Sequence, residues 1–213
     1  MRQDNKSVLA STIAVFIVMV LASIEPLEWS SYLLHQLGTL LFLALIMLGA
    51  CRYRYVSSRS YVLASLFLLI HIIGARYLYS YVPYNDWTQQ LFGIRLDELF
   101  GWQRNMYDRL VHFSYGVLLF NAMADVSKTI FNVQSFKLLI ALALMINMSS
   151  SLLYELLEWS IAMTLSPEAA EAYNGQQGDI WDAHKDMALA LLGGLITAGI
   201  MLFETRQNQV VSN

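Results

Sequence analysis

Long apolar runs alternate with short polar breaks along this chain, and most polar residues within the runs sit near their ends. Crossing a hydrocarbon core of about 30 Å takes roughly 17–25 helical residues. Runs of that length cover residues 7–24, 32–50, 61–79, 107–124, 137–161 and 183–203, which predicts six membrane spans. The expected fold is all-α, a six-transmembrane-helix bundle, with residues 1–213 forming a single integral-membrane domain. The first run follows Arg2 and Lys6 and contains Val20-Leu21-Ala22, which resembles a secretory cleavage site. It is already long enough to span, so an intact first helix is expected.

Two connections are long. The segment 80–106 carries Pro83, Gly93 and Gly101 but also Trp87, Leu91, Phe92, Ile94, Leu96, Leu99 and Phe100. That apolar content is too high for a free linker and predicts a short interfacial helix or a lid. The second, 166–182, opens on Pro167, which ends the fifth span, and passes Asn174, Gly175 and Gly178 before Asp179. Asn105 and Asp179 suit helix N-caps, each followed three residues later by an acid, Asp108 or Asp182. Capping and a role in chemistry are therefore both open to those two aspartates.

Charge orients the thread. Arg2, Lys6, Arg52, Arg54, Arg59, Lys128, Lys137 and Arg206 fall on one side of an alternating path, which places both termini in the cytoplasm. Glu25, Glu28, Asp86, Asp97, Glu98, Glu168, Glu171 and Asp179 fall on the other side, with Trp87, Trp102, Trp159 and Trp181 near span ends. Hydrophobic residues make up 57% of the chain and charged ones 14%, too apolar for a soluble domain of this size. No basic cluster suggests nucleic acid, and Cys51, the only cysteine, rules out a disulfide framework and a thiolate cluster.

Acids and histidines recur at helical spacing where they are most costly. Asp108 and His112 are four apart, Glu155 and Glu158 three apart, and Asp182 and Asp186 four apart, so each pair shares a helix face. Ionisable groups at membrane depth persist by facing one another, a metal or trapped water. Glu155 and Glu158 lie near the C-terminal end of their helix, where the dipole disfavours anions, so they call for cations or protons. Asn147 and Ser151 continue their face as a polar stripe, read as a hydrated lining or a hydrogen-bonded seam.

Imidazole plus carboxylates suits a divalent metal, with Asp108, His112, Glu155 and Asp186 as ligands and Glu155, Glu158 and Asp182 as catalytic groups. Arg76, Arg109 and Tyr115 are the candidate substrate-binding residues, the arginines serving equally well to neutralise carboxylates. His35 and His71, each alone on an apolar background, are read as packing residues outside the site. Gly116, Gly193, Gly194 and Ala198 are read as points of close helix contact. Membrane lipids are the expected partners, and three functions compete: a metal-dependent hydrolase or transferase acting on a lipid or envelope substrate, a proton-coupled small-solute transporter, and a non-catalytic membrane scaffold whose buried charges only fix helix register.

The motifs YDRLVHFSYG (107–116), YELLEW (154–159) and GDIWDAHKDM (178–187) resemble the YjdF-like family of bacterial inner-membrane proteins, a domain of unknown function, over nearly the whole chain. The resemblance implies an inner-membrane location and puts the family's acid and histidine positions on Asp108, His112, Glu155, Glu158, Asp179, Asp182 and Asp186. A looser similarity to VanZ-like membrane proteins carries no function across.

Overall fold

The computed structural model describes residues 4–211, apart from the side chains at 168, 171, 172 and 208–211. Arg2, Glu168 and Glu171, which entered the charge reading, therefore lie outside the described residues or side chains. The elements are α1 (Asn5–Ala22), α2 (Trp29–Met47, running into a π-helical turn at Leu48–Arg52), α3 (Ser58–Arg76), α4 (Tyr84–Phe92) and α5 (Leu96–Phe100). They continue with α6 (Tyr107–Ile130), α7 (Phe136–Ala162), α8 (Pro167–Asn174) and α9 (Asp182–Val211). No strand occurs among the described residues. Six of these helices are long and apolar enough to cross a membrane: α1, α2 with its π-turn, α3, α6, α7 and α9.

Local chemistry sets several starts. The Asp4 carboxylate accepts from Lys6 N, Ser57 Oγ from Ser60 N, and Ser135 Oγ from Leu138 N, each satisfying a first-turn amide that has no helical acceptor. Glu28 caps α2 by accepting from Ser30 N at 2.8 Å and Ser31 N at 2.6 Å. The Ser30 hydroxyl, and then these amides, hold the Glu28 carboxyl down at about 2. Segment 80–106 forms α4 and α5, which leave Leu91, Phe92, Leu99 and Phe100 exposed, an arrangement suited to the headgroup layer.

Helices α3 and α6 form the centre of the bundle, with α1 and α2 on α3 and with α7 and α9 on α6. At one end, the Asp125 carboxylate on α6 accepts from Ser57 N and Ser60 Oγ at the start of α3. At the other, Tyr107 donates to the Ile70 carbonyl at 2.9 Å. Arg76, at the end of α3, donates to the carbonyls of Leu21, Ala22 and Ile24, occupying acceptors left open where α1 stops.

The α6–α9 contact is the closest. A Cβ on Gly116 would overlap the Ala190 carbonyl oxygen and sit 2.8 Å from Gly194 N, and one on Gly193 would overlap the Phe113 carbonyl oxygen. Between helices surrounded by lipid the hydrophobic effect gives little, so backbone approach of this kind supplies the packing. The Thr197 hydroxyl adds a 3.1 Å bond to the Val117 carbonyl across the same seam.

Candidate metal centre and cavity

The glycine seam fixes the N-terminal ends of α6 and α9 side by side, and both ends carry acids. Asp108, His112 and Asp186 each present one ligand atom, and the three atoms lie within 4.8 Å of one another. His112 Nε2 is 3.6 Å from Asp108 Oδ1. The other ring nitrogen, Nδ1, lies 3.6 Å from Glu155 Oε1 on α7, so the imidazole stands between two carboxylates. Asp186 is 2% exposed and Asp108 7%, well shielded from solvent.

Alongside lies an ion-pair network. The Arg109 guanidinium contacts Asp182 at 2.6 Å, Asp179 at 3.1 Å and one oxygen of Asp186, and donates to the Asp182 carbonyl at 3.2 Å. Arg104 contacts Asp182 at 2.8 Å and Asp179 at 3.4 Å, and donates to the Gly175 carbonyl. Lys185 reaches Asp179 at 2.6 Å, and that ammonium holds the Asp179 carboxyl down at about 2. Asp179 also accepts from Trp181 N, so it caps the approach to α9 while taking part in the network.

The charges do not balance. Asp108, Glu155, Asp179, Asp182 and Asp186 are five carboxylates against the three cations Arg104, Arg109 and Lys185, an excess of two negative charges when all are ionised. Two oxygens in the group, Asp186 Oδ1 and Glu155 Oε1, are buried without a hydrogen-bond partner in the protein. Such atoms cost free energy unless a cation, a proton or water meets them.

A cavity of about 450 Å³ opens beside His112, between α2, α3, α6 and α7. Asp108, His112 and Glu158 face it, joined by His35, His71, Tyr79 and Tyr173. Tyr173 on α8 stacks on His35 at 4.7 Å and 9°, and His35 meets His71 edge-on at 6.0 Å. Tyr79 and His71 Nδ1 share a hydrogen bond of 2.7 Å. Burial, and then the Asp108 charge, keep the Tyr79 phenol well above its ordinary value, and burial pushes Tyr173 up to about 12. Tyr79 has a left-handed backbone, φ 54°, and its ring lies against Gly74, where any side chain would collide with it.

The structure thus gathers Asp108, His112 and Asp186 into one group and sets Glu155 against His112. Glu158 and Tyr115 line the cavity, Tyr115 bonded to the Ser150 hydroxyl at 2.5 Å. Asp182 is shared between two guanidinium groups beside the cluster. Arg76 is elsewhere, on the end of α1. His35 and His71, read from sequence as packing residues, are buried and half-buried respectively, yet both line the cavity. Arg104 and Tyr173 escape the sequence reading because they stand in connections with no periodicity, and Tyr79, read as the last residue of the third span, lies beyond the end of α3 at Arg76. The one available signal was Arg104 standing five residues before Arg109 in a connection next to acid-rich ends.

Residues 7–207 match the family described as "Predicted membrane protein (DUF2238)", and the chain belongs to that family. It is similar to the inner membrane protein YjdF of Escherichia coli (strain K12), with 28% identity over 187 residues, covering 88% of this chain and 85% of that one. No solved structure gives a significant match.

Proposed function

We propose that this DUF2238 membrane protein is a metal-dependent hydrolase or transferase acting on a lipid or envelope substrate, with Asp108, His112 and Asp186 holding one divalent cation. Both termini are assigned to the cytoplasm on the strength of the basic loops, so the site opens to the outer face. The observation that carries the reading is the convergence of three buried or half-buried ligand atoms within 4.8 Å of one another, with Asp186 Oδ1 unpartnered in the protein.

The donor set fits a hard or borderline cation, since two carboxylates and an imidazole admit magnesium, manganese, zinc or iron. Glu155 stands on the side of His112 where a carboxylate orients a ligating histidine through its second ring nitrogen. Arg109 fixes Asp186 by taking its other oxygen, and Arg104 and Asp182 fix Arg109 in turn. Glu158 faces the cavity on the substrate side, the position for a general base. A bound divalent cation would polarise an ester or phosphoester oxygen and acidify a water molecule.

Elemental analysis of detergent-purified protein tests this. Near-stoichiometric metal in the wild type and in Glu158→Gln, lost in Asp186→Asn and His112→Ala, is the expected result. Equal metal content in Asp186→Asn and wild type would sink it.

Proton-coupled transport is the second reading. Three imidazoles on one cavity favour it, as does the buried stripe of Asn147, Ser151 and Glu155, whose side chains include oxygens without protein partners. Proton uptake by protein-loaded liposomes that persists under chelation and is lost in His112→Ala would put it first.

A further inference from the structure

The cavity changes character along its length. Near the start of α6 its walls carry Asp108, His112, Glu158 and His71, while eleven residues further along that helix it is walled by Leu119, with Leu41, Phe42 and Phe67 opposite. From Asp108 to Leu119 the helical rise is roughly 16 Å, about half of a 30 Å hydrocarbon core and so the depth of one leaflet. Its volume, about 450 Å³, lies within the usual ligand-pocket range of about 300–1,000 Å³.

Its side opening points at lipid. Leu37 and Leu41 on α2 and Leu157 on α7 line the cavity and are also 65%, 62% and 57% exposed, and all three belong to membrane-spanning segments. Gly38 lies between the α2 leucines, and a Cβ there would meet nothing within 4 Å. A mouth between two lipid-facing helices suits a ligand already in the bilayer, and the apolar length of the cavity around Leu119 does not favour water.

We propose that the cavity takes one acyl chain of a bilayer phospholipid sideways through the gap between α2 and α7, with the headgroup at the Asp108–His112 end. This deepens the hydrolase reading by naming its substrate class and rests on that reading only for what then happens to the headgroup. The chain seats by burying its methylenes against Leu41, Phe42, Phe67 and Leu119, each methylene kept from water in either place, so discrimination comes from fit and from the polar end. Gly38 keeps the mouth open.

The test uses the full-length protein in phosphatidylethanolamine–phosphatidylglycerol vesicles doped with a phospholipid bearing a mid-chain diazirine. After illumination, cross-linked residues are mapped by mass spectrometry. Adducts on Phe42, Phe67 and Leu119 are expected, falling about ten-fold in Gly38→Trp while adducts on the lipid-facing Leu45 and Leu153 stay constant. Should Gly38→Trp fail to fold, Leu157→Trp narrows the same mouth from α7. Adducts confined to Leu45 and Leu153, or interior adducts indifferent to the folded mouth variant, would overturn the proposal. The readout needs neither metal nor turnover, so interior adducts on protein that retains no metal would defeat the hydrolase reading and leave this one standing.

Discussion

Replacing Arg109 with Met removes a guanidinium whose side chain is 6% exposed while keeping most of its volume. Four aspartates lie within 4.0 Å of it, but the loss is not fourfold. Asp182 keeps Arg104 at 2.8 Å, Asp179 keeps Lys185 at 2.6 Å, and Asp108 stands off at 4.0 Å, so the uncompensated charge falls mainly on Asp186, which is 2% exposed. Stripping one partner from a buried pair costs about 3–5 kcal/mol. At roughly 2–4 °C per kcal/mol for a chain of this size, the melting temperature should fall by about 6–20 °C. Tryptophan fluorescence during heating in detergent, with a chelator present so that metal plays no part, reads the shift. Adding Asp186→Asn to Arg109→Met should recover much of the loss, because removing both charges of a buried pair is often nearly neutral. A fall below about 2 °C, as for a surface pair, or no recovery in the double variant, would refute the reasoning.

Gly116→Val should separate α6 from α9, since its Cβ meets the Ala190 backbone, which cannot turn aside. A cost of at least about 1–3 kcal/mol is expected from overpacking, read in the same melt, whereas Gly199→Val on α9, where a Cβ meets nothing within 4 Å, should stay near wild type. Asp179, held at about 2 by Lys185, is depressed below its unfolded value of about 3.9, so its contribution is complete above that value and vanishes as pH falls through 2. The melting-temperature gap between wild type and Asp179→Asn should therefore be flat above about pH 5 and close between pH 4 and 2. A gap that widens on acidification would contradict the ion pair.

The six spans were legible because hydropathy over some twenty residues is a property of sequence alone, and lipid leaves the backbone little choice but helix. The glycines of α6 and α9 were legible for a related reason, small residues on apolar helices having few uses other than close contact. Spacing likewise put Asp108 on one face with His112. It could not say that α6 faces α9, which is why Arg109 read equally as a substrate ligand and as the partner that Asp182 and Asp186 make of it. His35 and His71 failed as signals because a solitary imidazole has no period, and their shared cavity exists only through α2, α3 and the turn at Tyr79. The place of Arg76 on the end of α1 was not legible, because nearness to one end of a span does not reveal which neighbouring helix stops there.

Arg109 and Asp182 are 73 residues apart in sequence. A ribosome feeding the chain into the membrane delivers α6 long before α9 exists, and during that interval Asp179, Asp182 and Asp186 are not yet there to offset the Arg109 charge. The half-made protein is thus obliged to wait with α6 near water or the insertion machinery until the last helix arrives. Nascent chains arrested short of Asp182 are where degradation should begin.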